Sequence, residues 1–245
     1  DLKKKITKKT KAVIYTQMNG RIGQIEEISN ICKKNKIYLI EDAAHAIGSY
    51  TRNKHAGNYG IASSFSFSMP KLITMGQGGA VITKSKSLSK KLRLYKNFGR
   101  KKSGNDIHDT LGYNFKITDI QAILGLEQLK NIRSRMKKKK NIYNLYKQKL
   151  KFNKNIKMFD FKLNETPWSV DIYSKKISKI KKILKLNNIY TRDVYPPLNS
   201  QKIYRNLKGM PISNYICRQG LWLPSSLDLK KTQILKICKL INQIA

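Results

Sequence analysis

A lysine amine held in an irregular segment at a strand end, away from water, can lose its proton and attack a carbonyl carbon. Lys71 is one of 42 lysines in the 245-residue chain, so residue type alone singles out nothing. Its setting does. It follows the alternating run Ser64-Phe65-Ser66-Phe67-Ser68 and the pair Met69-Pro70, and it precedes Thr74-Met75-Gly76-Gln77-Gly78-Gly79. Proline and clustered glycine on both sides imply a tight turn, not a solvated helix face. An ordinary loop lysine fits the same local pattern. Asp42 ends a short apolar run and is followed by Ala43-Ala44-His45-Ala46, small residues that admit something bulky. A carboxylate there can pair with a protonated ring nitrogen, with His45 beside the same ring; a helix cap is the competing use of Asp42. The glycines from Gly76 to Gly79 match no phosphate-loop pattern and also suit a plain turn.

The elements that must position these groups follow from periodicity. Ala12 to Tyr15 reads as a buried strand, and Ile22 to Lys34 as a helix with Ile25, Ile28, Ile31 and Cys32 at helical spacing. Ile37 to Ile40 reads as a second strand, ending on Glu41-Asp42. Strand, helix, strand with short links predicts a βαβ unit in a parallel sheet covered on both faces, with functional groups at the carboxyl ends of its strands. Ser64–Ser68 and Ala80–Thr83 read as further strands, Ser87–Asn97 as a helix stopped by Gly99, and 99–110 as a loop. Thr118-Asp119 supplies an N-cap to one long helix with Ile120, Ile123, Leu124, Leu126 and Leu129 on its apolar face and Lys137–Lys140 on a solvated one. Beyond Lys151 the texture changes. Strands at Trp168–Tyr173 and Ile189–Val194 with helices at Ser178–Leu186 and Leu229–Ile244 read as a smaller α/β domain. The boundary falls near 135/136, with residues 1–135 in the larger domain and 136–245 holding the linking helix and the smaller one.

Composition narrows the classes. Lys+Arg number 51 against 14 Asp+Glu, a net charge of +37. That balance keeps a nucleic-acid or membrane-surface binder open. Yet 42 Lys stand against 9 Arg, together with 31 Ile and 20 Asn, the mark of an AT-rich coding sequence. Phosphate recognition leans instead on the arginine fork. No basic stretch interleaves with aromatics in the manner of a single-strand binder. Cys32, Cys217 and Cys238 are odd in number and far apart. That disfavours a disulfide framework or a metal site and points to a reducing cytoplasm. No apolar run is long enough to span a bilayer.

Taken in order, Glu41-Asp42-Ala43-Ala44-His45-Ala46, Ser64-Phe65-Ser66-Phe67, Lys71 and Gly76-Gln77-Gly78-Gly79-Ala80-Val81 resemble the DegT/DnrJ-type nucleotide-sugar aminotransferases. Gly112-Tyr113-Asn114-Phe115 with Thr118-Asp119-Ile120-Gln121-Ala122 is similar to another signature of that family. So is the tail of Thr191-Arg192, Tyr195-Pro196-Pro197 and Leu221-Trp222-Leu223-Pro224. The resemblance implies an α/β, fold-type I pyridoxal-phosphate-dependent transferase: a mixed, mostly parallel sheet with helices on both faces, plus a smaller C-terminal α/β domain. It implies pyridoxal 5'-phosphate as cofactor and amino transfer from an amino acid, glutamate in most relatives, to a nucleotide-linked keto-deoxy sugar in polysaccharide synthesis. By position it places Lys71 on the Schiff-base lysine, Asp42 on the partner of the pyridinium nitrogen, His45 near the ring oxygen and Ser66 on the phosphate. Asn114 matches a residue that reaches a neighbouring subunit's site, which implies a homodimer. Gln77, Ser68 and Asn199 depart from the family's usual residues, which bears on substrate detail. The resemblance also implies that the chain begins about a third of the way into the family pattern. It would then lack the helix N-terminus that receives the phosphate and be inactive alone. A basic nucleic-acid or membrane-surface binder, or an inactive fragment on the same fold, is the alternative.

Overall fold

A computed structural model describes residues 1–102, 104–153, 155–204 and 210–244. The chain divides into two compact units: Asp1–Met136 with Lys162–Trp168, and Lys137–Phe161 with the residues from Ser169 on.

The first unit opens with a short helix, α1 (Leu2–Lys5), and then builds the expected βαβ element from β1 (Ala12–Thr16), α2 (Ile25–Lys34) and β2 (Tyr38–Asp42). The helical spacing buries Ile25 and Cys32 in a cluster with Ile22 and Leu39. A two-residue hairpin, β3 (Tyr50–Thr51) and β4 (Lys54–His55), follows and has no periodic signal in the sequence. β5 (Ala62–Ser66) and β6 (Gly79–Thr83) complete a sheet of order β1-β2-β5-β6. β1, β2 and β5 run parallel and β6 antiparallel, so the sheet is mixed. In register, Thr16, Asp42 and Ser64 lie side by side.

Two expectations need correction here. β1 is not a buried strand: Ala12, Ile14 and Thr16 are exposed, Ile14 at 71%. β1 pairs only with β2, and no described element covers its outer face. Following α3 (Lys86–Lys96), α4 (Asp119–Lys130) is capped by Thr118 as expected, through a reciprocal box with Gln121. However, it ends at Asn131, and α5 (Ile132–Lys149) is a separate helix. Ile120, Ile123, Leu124, Leu126 and Leu129 of α4 are all exposed, because nothing in the described residues packs on that face.

The second unit has a four-stranded antiparallel sheet of order β7-β8-β10-β9: β7 (Ile156–Lys157), β8 (Val170–Ser174), β10 (Gly220–Leu223) and β9 (Arg192–Asp193). β8 and β10 are buried along almost their whole length. α6 (Ile177–Leu186) and α8 (Lys231–Asn242) contribute Ile180, Leu184, Ile234, Ile237 and Ile241 to a core around Tyr146, and α7 (Pro211–Gln219) adds a further helix. The strand expected at Trp168–Tyr173 starts at Val170, since Trp168 belongs to the first unit. Only Arg192 and Asp193 of Ile189–Val194 pair as a strand. The four-lysine run is not wholly solvated either. Lys139 is 9% exposed, with its Nζ donating to the Ser225 carbonyl at 2.7 Å. Its burial lowers the ammonium pKa to about 8. No helix among the described residues is long and apolar enough to cross a membrane.

Candidate active site

The site begins where β2 and β5 end. Neighbours on a strand point to opposite faces. Glu41 is 0% exposed and accepts four N–H bonds, from Gln17 Nε2 at 2.8 Å and from the amides of Gly57, Tyr59 and Gly60 at 2.7, 2.5 and 2.7 Å. It ties β2 to the segment that leads into β5. Asp42 is half-buried at the strand end, where Oδ1 accepts the Ala44 amide at 3.1 Å. That bond turns the chain tightly and carries His45 back beside the strand end.

His45 is fixed on two sides. Its Nδ1 accepts the Asn19 amide at 3.3 Å, so the proton of the neutral ring sits on Nε2. Its face lies on the Trp168 indole, with centroids 3.9 Å apart and planes 8° from parallel. The indole N–H donates to the Pro70 carbonyl at 2.8 Å, and the next residue, Lys71, holds its Nζ 5.0 Å from the indole centroid. Ser66, the last residue of β5, has its hydroxyl 3.2 Å from that of Ser68, and the Ser68 carbonyl accepts the Lys71 amide at 3.1 Å.

The Lys71 segment is braced from one side by three residues spaced by seven. Gln121 Nε2 donates to the Gln77 carbonyl (3.0 Å), Gln128 Oε1 accepts the Thr74 amide (3.0 Å), and Arg135 Nη1 donates to the Leu72 carbonyl (3.3 Å). Seven residues are close to two helical turns, so the spacing was available in the sequence as a polar stripe. Trp168, Asn19 and Glu41 were also missed. The first two meet His45 across gaps of more than a hundred and of 26 residues, and no local pattern reports such contacts.

The structure thus gathers Asp42 and His45 in one turn, links His45 to Lys71 through Trp168, and sets Ser66 on the adjacent strand. Asn114 stands apart. It is exposed, and its backbone bridges to Asn97.

Among solved structures, the aminotransferase PseC of Helicobacter pylori, involved in the biosynthesis of pseudoaminic acid, superposes with a TM-score of 0.92 at 26% identity. The match covers 99% of this chain and 68% of that one. The fold and the strand-end site therefore define a pyridoxal-phosphate-dependent transferase of fold type I. More particularly, the chain belongs to the DegT/DnrJ/EryC1/StrS aminotransferase family, whose pattern matches residues 1–242. Among curated relatives, the GDP-perosamine synthase of Escherichia coli O157:H7 is 31% identical over 247 residues, 99% of this chain and 68% of that protein. A UDP-4-amino-4,6-dideoxy-N-acetyl-beta-L-altrosamine transaminase of Helicobacter pylori is 35% identical over 156 residues, 62% of this chain and 41% of that protein. The residues present fit the family's cofactor. A strand-end carboxylate suits a protonated ring nitrogen, the residues that follow it, Ala43 and Ala46, are small, and the hydroxyls of Ser66 and Ser68, 3.2 Å apart, close the adjacent strand.

Proposed function

We propose that this aminotransferase moves an amino group from an amino acid, glutamate by preference, to the keto carbon of a nucleotide-linked deoxy sugar in surface-glycan synthesis. One observation carries the reading: the Lys71 amine and the His45 ring both meet the Trp168 indole, just past the strand end that bears Asp42. The names of the two curated relatives, both acting on nucleotide-linked amino sugars, support the substrate class.

In this reading Asp42 keeps a proton on the cofactor's ring nitrogen, and His45 donates from Nε2 toward the ring oxygen. Ser66 binds the phosphate. Lys71 would hold the cofactor's aldehyde carbon, and its free amine would move the proton at the substrate carbon. When bound, the cofactor supplies an electron sink for the carbanion left by that proton. Asn114, exposed on the 111–117 segment, serves the site of a second copy, so the active form is a homodimer. Three unpaired cysteines suit the cytoplasm as its compartment.

The test is reconstitution of the protein with pyridoxal phosphate. A visible absorption band should form, shift on adding glutamate, and be absent in Lys71→Ala. A band that persists in Lys71→Ala overturns the assignment of Lys71.

A further inference from the structure

We propose that Trp168 is a positioning residue of this reaction centre: its indole sets the plane of the His45 ring and the distance from that ring to the Lys71 amine. The proposal rests on the reading of His45 and Lys71 given above.

Trp168 is 8% exposed and uses three different parts of itself on three partners. One ring face stacks on His45, the indole N–H holds the Pro70 carbonyl, and its backbone N–H donates to the Asn19 carbonyl at 3.2 Å. Asn19 is the hinge of this arrangement. At φ 58° it takes the left-handed conformation that Asn tolerates, and one residue's backbone then serves both sides, its N–H to His45 and its C=O to Trp168. A side chain that merely filled space would need volume alone. Here a planar face and a directed N–H act on separate segments, one carrying the imidazole and the other the amine.

The strap that delivers Trp168 is itself anchored. Glu165 accepts the Ile22 amide at 2.8 Å. Thr166 donates its amide to the Ser49 hydroxyl oxygen and its own hydroxyl to the Gly48 carbonyl, at 2.9 and 2.8 Å, and the Asn164 carbonyl accepts the Tyr50 amide at 2.8 Å. Gly20 admits the strap, since a Cβ there would stand 2.0 Å from the Thr166 carbonyl oxygen. With strap and turn both fixed, neither ring has freedom to swing. The Lys71 amine stands 5.0 Å from the centroid of the same indole. The released amine therefore keeps a defined place while it is off the cofactor.

The test begins with cofactor-free protein, using histidine ring resonances. The chain has three histidines, so His45→Gln assigns the signal. His45 should be shifted upfield by the indole ring current. In Trp168→Leu that shift should vanish; in Trp168→Phe most of the shift should remain. The second readout is the rate at which pyridoxal phosphate is trapped on Lys71 by borohydride, expected to drop severalfold in Trp168→Phe, which keeps a face but loses the N–H to Pro70. An unchanged His45 resonance in a folded Trp168→Leu overturns the proposal, as does wild-type trapping in Trp168→Phe. If the His45 effects appear while Lys71 is never trapped in the wild type, the stacking role stands and the reading of Lys71 falls.

Discussion

Glu41 and Asp42 are adjacent, yet the pleat of β2 gives one to the interior and the other to the strand-end site. Glu41→Gln keeps the shape but points an amide N–H₂ at donors that need an acceptor, so we expect a loss of about 2–4 kcal/mol of stability in urea unfolding. An unmoved midpoint would show that water replaces those bonds. Lys139 gives a pH signature. Its folded pKa, about 8, lies below the unfolded value of 10.5, so the folded state binds fewer protons between them, and this contribution to stability rises as pH climbs through that window. The melting temperature of wild type relative to Lys139→Met should therefore increase from pH 8 to 10; a flat difference contradicts the assigned burial. At this scale Asp42, His45, Ser66 and Lys71 were put forward as candidates by the order of their motifs, since each local pattern alone also fits a cap or a plain turn. Trp168 was not, because a stack depends on two segments that only tertiary structure brings together.

The elements were legible where burial enforces a period, as in α2, β8 and α8. They were misread where it does not. β1 looked buried because Ala12-Val13-Ile14-Tyr15 is apolar, but one of its faces is open. The helix from 119 onward looked continuous because both halves are helical, whereas Asn131 closes the first by turning its own amide back to Gln128 and Leu129. The Gln121, Gln128 and Arg135 stripe shows what a helix contributes to a loop it does not touch in sequence. Gln128→Leu leaves the Thr74 amide without its acceptor. It should cost about 1 kcal/mol of stability and slow cofactor loading on Lys71; normal loading would show that the brace is incidental. Two glycines make a sharper contrast. A Cβ at Gly125 would meet only the flexible Met75 side chain, at 2.8 Å, whereas Gly20 sits at φ +87° with a backbone oxygen 2.0 Å away. Thermal unfolding should show Gly125→Ala close to wild type and Gly20→Ala strongly destabilised, by more than the ~1 kcal/mol of a strained φ alone. Equal effects would refute the packing of the strap.

For the whole molecule, exposed apolar surface is the informative quantity. The first unit exposes large apolar side chains, Ile120, Ile123, Leu126, Leu111 and Phe115 among them, beside a recess of about 1350 Å³ lined by Val81, Leu92 and Tyr95. Patches of that kind are covered in working assemblies. The net charge of +37 opposes association at low salt, so sedimentation should show self-association that grows with salt and weakens in Ile120→Lys/Leu124→Lys. A monomer at every salt concentration would argue against the dimer. The strap has a temporal consequence as well. The first unit is interrupted in sequence, because the chain leaves it at Met136 and returns only for Lys162–Trp168. During synthesis, which proceeds at roughly 5–20 residues per second, β1 to α4 emerge and pair well before the strap does. His45 then has no stacking partner, and Ile22 no Glu165, until α5 and the turn beyond it have also left the ribosome. The candidate site is the last part of its own unit to be completed.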